Sequence, residues 1–232
     1  MSLSWKKLAR LLVVVLFNGA IFVAILWSMG RPGFWESQIS GYEKADRSHP
    51  PTPGCIVFTG SSSIRFWHTL SDDMKPLDAI NRGFGGSQMA HVNQYAARIV
   101  IPYRPRAVVL YAGDNDLSWP WSKSPETVQA DFARFVEIVH VALPDTWIYY
   151  ISMRPAPLRW TDSAKIKDAN RRIEEFCRAQ SRVQFIDVQT AMLDSRGQLR
   201  GDLFGWDRLH MNAQGYAIWT AIIKPVLRKR FE

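Results

Sequence analysis

Residues 55–63 read CIVFTGSSS, an uninterrupted apolar run that ends in a glycine and three serines. A short β-rich run without polar alternation is typical of a strand that is buried on both faces, as in a parallel sheet. Runs of the same kind follow at intervals long enough to hold a helix, at residues 79–81, 107–111, 147–151 and 183–187. The sequence therefore predicts five strands in a mostly parallel sheet.

Amphipathic helices are predicted between these strands. Apolar residues recur at helical spacing along four segments, which begin at Met89, Val128, Ile166 and Tyr216. Ser124 followed by Pro125 predicts the start of one helix, because Ser is a favoured N-cap and Pro fits the first helical position. Regular alternation of this kind predicts an α/β fold, a three-layer α/β/α sandwich with a mostly parallel, flavodoxin-like five-stranded sheet, preceded by one transmembrane helix.

The transmembrane helix is predicted at residues 11–29, which read LLVVVLFNGAIFVAILWSM. At about 1.5 Å per residue this run can cross a hydrocarbon core of roughly 30 Å. We expect an uncleaved signal anchor, because the run is longer than the usual h-region and residues 27–31 lack a small-residue cleavage motif. A cleaved secretory signal is the alternative.

Basic residues on one side of this segment predict its orientation. Lys6, Lys7 and Arg10 precede it, whereas the residues after it carry mixed charges. By the positive-inside tendency, residues 1–10 are expected in the cytoplasm and the large C-terminal part in the periplasm or outside the cell. The membrane is thus a predicted partner through a single-pass N-terminal helix.

The rest of the chain divides into a linker and a domain. Residues 30–53 are rich in proline and glycine and are interpreted as a linker with at most one short helix, and residues 54–232 as the domain. Cys55 and Cys177 are too few for a disulfide framework, and each is more often a small buried apolar residue than half of a bridge. A single bridge between them stays an open alternative.

The formal net charge of +8 does not indicate a nucleic-acid partner. Six of the 29 basic residues lie at the two termini, and without residues 1–10 and 228–232 the chain holds 23 basic and 20 acidic residues. A domain so nearly balanced offers no basic stripe for a phosphate backbone.

Polar residues follow three of the predicted strands. Three serines follow the first strand, residues 81–87 (NRGFGGS) follow the second, and residues 113–116 (GDND) follow the third, while Asp207 and His210 precede the last helix. Ligands of open parallel sheets bind beyond the carboxyl ends of the strands, so these residues are expected at one rim. A hydroxyl, an imidazole and a carboxylate are the groups that a serine hydrolase needs, which favours esterase-type acyl transfer.

Over roughly residues 54–225 the sequence resembles the SGNH hydrolase superfamily, also called GDSL-type lipases and esterases. Four blocks match in order, at residues 58–64, 81–87, 113–116 and 207–210, although Ser61 stands where the eponymous motif has Asp. The resemblance implies that Ser62 is the nucleophile, His210 its base, and Asp207 the group that orients the base.

The same resemblance implies an oxyanion hole and a cofactor-free reaction. Its donors are the backbone N–H groups of Ser62 and Gly86 and the side-chain amide of Asn115, and neither a metal nor an organic cofactor is expected. Without the resemblance, Ser61 or Ser63 could be the nucleophile and Gly86 could serve only a tight turn. A metal site at the two aspartates of residues 113–116 is disfavoured, because no His or Cys accompanies them.

Side chains farther along the rim are candidates for binding substrate. Trp119 and Trp121 could line an acyl or sugar pocket or merely pack in their loop, while Arg154, Arg159 and Trp160 could bind a polar head group. The resemblance implies a lysophospholipid, a short acyl ester or an O-acetyl glycan as substrate, and membrane proximity favours lipid esters and acetylated envelope glycans. The alternative function is a catalytically silent SGNH-fold binding or envelope-assembly protein.

Overall fold

The structure is a computed structural model that describes residues 33–232 together with Trp5, Lys7, Arg10, Val13, Val14, Phe17, Gly19 and Ser28. The chain forms two compact units, residues 1–37 and residues 38–232. Most of the apolar segment predicted to cross a membrane, residues 11–29, lies outside the described residues. Within the described part of the chain, no helix combines the length and the apolar character that a membrane span requires.

Strands and helices alternate along the described chain. The strands are β1 (Ile56–Gly60), β2 (Ala79–Gly83), β3 (Ala107–Tyr111), β4 (Trp147–Ile151) and β5 (Val183–Ile186). The helices are α1 (Glu36–Ser48), α2 (Ser62–Arg65), α3 (Leu70–Met74), α4 (Met89–Ile99), α5 (Asp114–Leu117), α6 (Pro125–Ala142), α7 (Ser163–Arg178) and α8 (Ala213–Phe231). Short 3₁₀ helices lie at Ile101–Tyr103, Pro157–Asp162, Thr190–Met192 and Gly201–Leu203.

The five strands of the described chain form one parallel sheet in the order β2-β1-β3-β4-β5. In β1, Ile56 and Phe58 face a core that they share with α3 and α8. Val57 points to the opposite face, because side chains alternate along a strand. On that face α4, α6 and α7 pack side by side. The predicted α/β fold with a five-stranded parallel sheet is confirmed.

The helical stripes read from the sequence are the faces that the core buries. In α4 the buried side chains are Met89, Val92, Tyr95, Ala96 and Ile99. In α6 they are Val128, Phe132, Phe135, Val136 and Val139. Ser124 is the N-cap of α6, accepting a hydrogen bond from the Thr127 N–H at 3.3 Å, and Pro125 is its first residue.

The segment interpreted as a linker contains α1, which packs on the domain from Gln38 onwards. The Tyr42 hydroxyl donates to the Gly83 carbonyl at 2.5 Å, Asp46 pairs with Arg82, and Glu43 pairs with Arg98. The compact unit therefore begins before residue 54. These contacts are mostly polar and join segments far apart in the chain, so they leave no periodic apolar pattern in the sequence.

Cys55 and Cys177 are buried free thiols in the structure. Burial is the main cause that raises the pKa of Cys55 to about 11 and the pKa of Cys177 to about 12. Each therefore serves as a small apolar residue of the core.

Candidate active site

The first loop at the carboxyl edge of the sheet begins at Gly60. Its φ of +130° and its contact with β3 both require glycine, because a Cβ at this position would lie 1.9 Å from the Tyr111 carbonyl oxygen. The Ser61 N–H donates to that carbonyl at 2.9 Å. The chain then leaves the sheet, and Ser62 becomes the first residue of α2.

The three hydroxyls of this loop have different surroundings. The Ser62 Oγ lies 2.9 Å from His210 Nε2. The Ser63 Oγ is buried and accepts a hydrogen bond from Arg154 Nη2 at 3.2 Å. The Ser61 Oγ is buried without a hydrogen-bond partner among the described residues. Of the three serines in this part of the chain, Ser62 alone has its hydroxyl paired with the imidazole.

A tight turn holds Asp207 and His210 in register. Asp207 Oδ1 accepts hydrogen bonds from the N–H groups of Leu209 and His210, each at 3.0 Å, while Oδ2 lies 2.5 Å from His210 Nδ1. Arg208 adopts a left-handed φ of 56° inside this turn. Asn212 then caps α8 by accepting from the N–H groups of residues 214 and 215. Both flanks of the imidazole are thus fixed by hydrogen bonds.

The environment of Asp207 keeps its carboxylate ionised. Burial acts to raise the pKa of Asp207, but hydrogen bonds from the His210 ring and from the N–H groups of Leu209 and His210 outweigh it, so the pKa is lowered. An ionised acceptor at Nδ1 favours the tautomer of His210 that carries its proton there. Nε2 then presents a lone pair to the Ser62 hydroxyl.

Phe66 and Tyr216 support this pair from two sides. The Phe66 ring meets the His210 ring edge-on, with centroids 4.9 Å apart. The Tyr216 hydroxyl donates to the Ser63 carbonyl at 3.0 Å and so ties α8 to the serine loop. Loops that are distant in sequence are thereby fixed at one place.

Asn115 lies beside the glycine-rich loop after β2. Its Nδ2 donates to the Ser87 carbonyl at 3.0 Å, and its Oδ1 accepts from Arg159 Nη1 at 2.9 Å. Asn115 is 5% exposed, and Gly86 next to the loop's serine has a φ of +75°. The amide has two N–H groups, so one is left to donate to a ligand.

Asp116 joins the loops that follow β2 and β3. Its side chain is fully buried, accepting from the Met89 N–H at 3.0 Å and from Lys123 Nζ at 2.8 Å. Burial is the main cause that raises the pKa of Asp116 to about 6. Over the described residues, no group of three or more His, Cys, Asp and Glu side chains is arranged to hold a metal ion.

The structure distributes the expected substrate-binding residues unevenly. Trp119 is 67% exposed and Trp160 is 46% exposed, whereas Trp121 is half-buried. Arg154 does not fit its expected role, because it is only 3% exposed. Its guanidinium donates to the Leu209 carbonyl at 3.1 Å and to Ser63, and it lies over the Phe204 ring. Arg154 therefore supports the loops from beneath.

Three further arginines lie at the same rim, and one of them, Arg159, is a sequence-based candidate for binding a polar head group, like Arg154 and Trp160. Arg159 contacts Asn115, Arg65 follows the serine loop, and Arg208 lies between Asp207 and His210. The sequence also held a signal for the other two, since Arg65 and Arg208 fall inside or next to the blocks that carry the catalytic residue types. Nothing in the sequence indicated the contact between Arg159 and Asn115.

Comparison with known proteins gives a family match. The model of the GDSL-like Lipase/Acylhydrolase family matches residues 47–218, most of the chain. A search of the curated proteins finds no significant match to this sequence.

Solved structures share the fold at low sequence identity. A protein from Streptococcus pneumonia provisionally designated a platelet activating factor aligns with a TM-score of 0.77 and 20% identity, covering 90% of this chain and 99% of that one. A GDSL-like lipase from Bacteroides thetaiotaomicron aligns with a TM-score of 0.72 and 23% identity, covering 82% and 97%. A catalytic mutant of an acetylxylan esterase from Geobacillus stearothermophilus aligns with a TM-score of 0.60 and 15% identity, covering 74% and 93%.

Proposed function

The chain belongs to the GDSL-like lipase/acylhydrolase family and is an ester-hydrolysing serine hydrolase, and on this premise we propose that Ser62, His210 and Asp207 carry out its reaction. The observation that supports this assignment is the continuous pair of hydrogen bonds from Ser62 Oγ to His210 Nε2 and from His210 Nδ1 to Asp207 Oδ2. A nucleophile, its base and an orienting carboxylate are in reach of one another without rearrangement.

In the first half-reaction the Ser62 oxygen attacks the ester carbonyl carbon. The hydroxyl proton moves to His210 Nε2, and Asp207 stabilises the imidazolium that forms. The tetrahedral intermediate then expels the alcohol, which takes the proton from Nε2 and leaves an acyl group on Ser62. In the second half-reaction water gives its proton to Nε2 and its oxygen to the acyl carbon, and the acid leaves as the proton returns to Ser62.

The negative oxygen of each tetrahedral intermediate is bound by three donors. The Ser62 N–H is in the first turn of α2, where amides have no acceptor within the helix. The Gly86 N–H and the Asn115 amide come from the two neighbouring loops. Donors of this kind matter because they are fixed in place before charge appears, and losing one typically lowers turnover about 10²–10³-fold.

The same enzyme is proposed to be held at a membrane by residues 11–29. The absence of charge over this run and the basic residues Lys6, Lys7 and Arg10 before it support a single-pass anchor with the N-terminus in the cytoplasm. The hydrolase unit then acts in the periplasm or outside the cell. Carbonate extraction and protease protection test this: the full chain should stay with membranes and be digested from the non-cytoplasmic side. Release by carbonate, or protection of the hydrolase unit, would contradict it.

The proposed substrates are carboxylic esters found near that membrane: lysophospholipids, short acyl esters and O-acetyl glycans. A hydrolase of an acetylated polysaccharide and a lipase are among the proteins that share the fold. The fold alone is compatible with each substrate, since function depends on the site that a fold carries. A panel of one substrate from each class, assayed with the full chain in non-ionic detergent, ranks them by kcat/KM.

Hydrolysis of p-nitrophenyl acetate and butyrate tests the assignment of the nucleophile and its base. Ser62→Ala and His210→Ala should each lower kcat by about 10⁴-fold or more, because members of such a triad act as a unit. Ser61→Ala is the matched control, since its buried hydroxyl has no partner among the described residues and its loss should leave turnover near that of the unaltered chain. Equal hydrolysis by the unaltered chain and both triad variants would refute the proposal.

A further inference from the structure

Four arginines surround the candidate triad without a carboxylate partner. Among the described residues, no Asp or Glu oxygen lies within 4.0 Å of the guanidinium nitrogens of Arg65, Arg154, Arg159 or Arg208. The arginines that do pair with carboxylates lie elsewhere in this part of the chain: Arg82, Arg98, Arg134, Arg171, Arg172, Arg178, Arg182, Arg196, Arg200 and Arg228. Ten arginines of the described chain thus have a carboxylate partner, whereas the four at the site have none; Arg47, Arg104, Arg106 and Arg230 also lack one elsewhere on the described chain.

Two of the four arginines are occupied by neutral oxygens of the site itself. Arg154 is buried and binds the Leu209 carbonyl and the Ser63 hydroxyl. Arg159 binds the Asn115 side-chain carbonyl. These contacts hold loops and orient an amide, so the two residues contribute positive potential without being fully available to a ligand.

The third arginine, Arg65, lies on the nucleophile's side of the site. It is exposed, and its Nη1 is 3.2 Å from the point that a Cβ on Gly85 would occupy. The Ser62 Cβ is 3.8 Å from the same point. The guanidinium therefore lies over the glycine turn next to Gly86, close to where a substrate bound at Ser62 would pass.

The fourth arginine, Arg208, lies on the side of the base. It is exposed, and it lines a cavity of about 530 Å³ together with Trp160, Pro157, Gln198, Leu199 and Gly201. Cavities of roughly 300–1,000 Å³ are the usual size for small-ligand sites. A positive group and an indole ring thus share one cavity next to the turn that carries His210.

Exposed guanidinium groups without protein carboxylates are suited to binding anions. A guanidinium forms paired, charge-assisted hydrogen bonds with a phosphate or carboxylate, and several uncompensated cations in a cleft raise the local concentration of anionic ligands. The one carboxylate of the triad, Asp207, is already paired with His210. We propose that Arg65 and Arg208 bind an anionic group of the substrate, so that the enzyme prefers esters carrying a phosphate or carboxylate near the scissile bond.

This preference rests on the proposed function and specifies, in addition, that the preferred ester carries a negative charge. Arg65 lies near Ser62 and Arg208 in the turn that carries His210, and the anionic group can belong to the alcohol or to the acyl part of the ester. A phosphate on a glycerol alcohol and a carboxylate at the end of an acyl chain share the chemistry that a guanidinium recognises, and they are distinguishable with matched substrates.

The test uses the full chain in non-ionic detergent with two matched substrate pairs. Monobutyrin and 1-butyrylglycerol 3-phosphate differ by a phosphate on the alcohol side, and p-nitrophenyl butyrate and mono-p-nitrophenyl glutarate differ by a carboxylate on the acyl side. For at least one pair, kcat/KM of the charged ester should exceed that of its neutral partner by about tenfold or more at low ionic strength. At about 1 M salt, where the Debye length is about 3 Å, the ratio should fall towards one.

Substitution then assigns the preference to the two arginines. Arg65→Gln and Arg208→Gln should each lower the ratio of charged to neutral ester, and the double variant should bring it close to one. Arg65→Lys and Arg208→Lys keep the charge and should retain part of the ratio. Arg47→Gln is the matched control: Arg47 is exposed, without a carboxylate partner among the described residues, and lies on α1, so the ratio should not change.

Equal rates for charged and neutral esters in the unaltered chain would overturn this inference while leaving the proposed esterase function intact. A ratio that survives the double variant would do the same. Failure to hydrolyse any of the four esters, or equal hydrolysis by Ser62→Ala, would instead overturn the proposed function and the inference together.

Discussion

The outer surface of α7 and the rim around Ser62 both carry several arginines, but those of α7 pair with carboxylates and those of the rim do not. On α7, Arg171 pairs with Asp168 and Glu175, and Arg178 pairs with Glu174, at helical spacings that place opposite charges side by side. At the rim the arginines contact carbonyls, a hydroxyl or solvent. The near balance of charge over residues 11–227 therefore conceals a local positive excess, and net charge says little about the field inside a site.

Carboxylates in the two regions differ in burial and not in pairing, since Asp116 pairs with Lys123. On α7 the pKa of Asp168 is lowered, first by its hydrogen bonds to Arg172 and Arg171. At the rim the pKa of Asp116 is raised to about 6, mainly by burial. Hydrogen bonds on the surface of α7 thus favour the charged form of Asp168, whereas burial at the rim disfavours the charged form of Asp116.

The largest expected effect comes from neutralising the one carboxylate that pairs with the imidazole. Asp207→Asn removes the ionised acceptor at His210 Nδ1, so the tautomer with a free Nε2 loses its stabilisation, and kcat should fall by about 10⁴-fold. Asp202→Asn is the control, because that exposed carboxylate pairs with Arg200 on the surface. Steady-state hydrolysis of p-nitrophenyl butyrate measures both, and a loss smaller than about tenfold in Asp207→Asn would show that Asp207 does not orient the base.

The next largest loss of kcat is expected when the contact between Arg159 and Asn115 is removed. A guanidinium on Oδ1 fixes which way the amide points and strengthens its remaining N–H as a donor, so Arg159 is a positioning residue that acts through Asn115. Asn115→Ala should lower kcat about 10²–10³-fold. Arg159→Met should lower kcat about tenfold with little change in KM, since an oriented donor acts on the intermediate more than on the bound ester.

A double-mutant cycle checks that route. If Arg159 acts through Asn115, Arg159→Met should cause no further loss in the Asn115→Ala background. Additive losses would mean that Arg159 contacts the substrate directly. Arg159→Lys, which restores a cation without the planar fork, should recover part of kcat in the chain that keeps Asn115.

These sites show what the sequence could and could not predict. Ser62 and His210 are 148 positions apart, yet both were assigned to the same edge, because the carboxyl ends of parallel strands meet there and the family's blocks occur in a fixed order. The bounds of β3 and β4 and the start of α6 also match the sequence, since uninterrupted apolar runs and a Ser-Pro cap are local signals.

The positions of Arg154 and α1 depend on contacts between residues that are far apart in the chain, and such contacts leave no pattern in the local sequence. Arg154 follows β4 and was expected to face the substrate, but the chain turns beneath the His210 loop and the side chain points inward. The packing of α1 depends on pairs such as Asp46 with Arg82, whose partners are far apart in sequence. Whether an arginine pairs with a carboxylate is likewise decided by tertiary structure. The difference in pairing between the arginines of α7 and those of the rim therefore cannot be predicted from composition.

The raised pKa of Asp116 predicts a stability change with a defined sign. Its pKa in the folded chain, about 6, lies above the ordinary value of 3.8, so the folded state holds this proton more tightly than the unfolded state does. The resulting contribution to stability is fully present below about pH 4 and is lost as pH rises through about 6, by about 3 kcal/mol. Exposed carboxylates with lowered pKa values, such as Asp168, contribute in the opposite direction, because their stabilisation is lost as pH falls.

Asp116→Asn isolates that contribution, because an amide keeps the shape and does not titrate. Urea unfolding of both chains in non-ionic detergent at pH 4.5 and 6.5 should show the unaltered chain losing stability relative to the variant as pH rises. Lys123 and Asp131, the charged groups nearest Asp116, are unchanged in both chains. A stability difference that is constant with pH, or that moves the other way, would contradict the raised pKa.

The smallest effect is expected from a substitution on the surface of α7, where the arginines pair with carboxylates. Arg178→Gln removes one positive charge, as Arg65→Gln does, but from a side chain that is 71% exposed and paired with Glu174 one turn away. Exposed pairs of this kind are worth about 0.5 kcal/mol or less, so the free energy of unfolding should barely change. The kcat/KM ratio for charged and neutral esters should stay the same within about twofold, because salt screens charges farther from the site than about 10 Å. A ratio that falls as far in Arg178→Gln as in Arg65→Gln would mean that total charge, and not the unpaired arginines of the rim, attracts the anionic substrate.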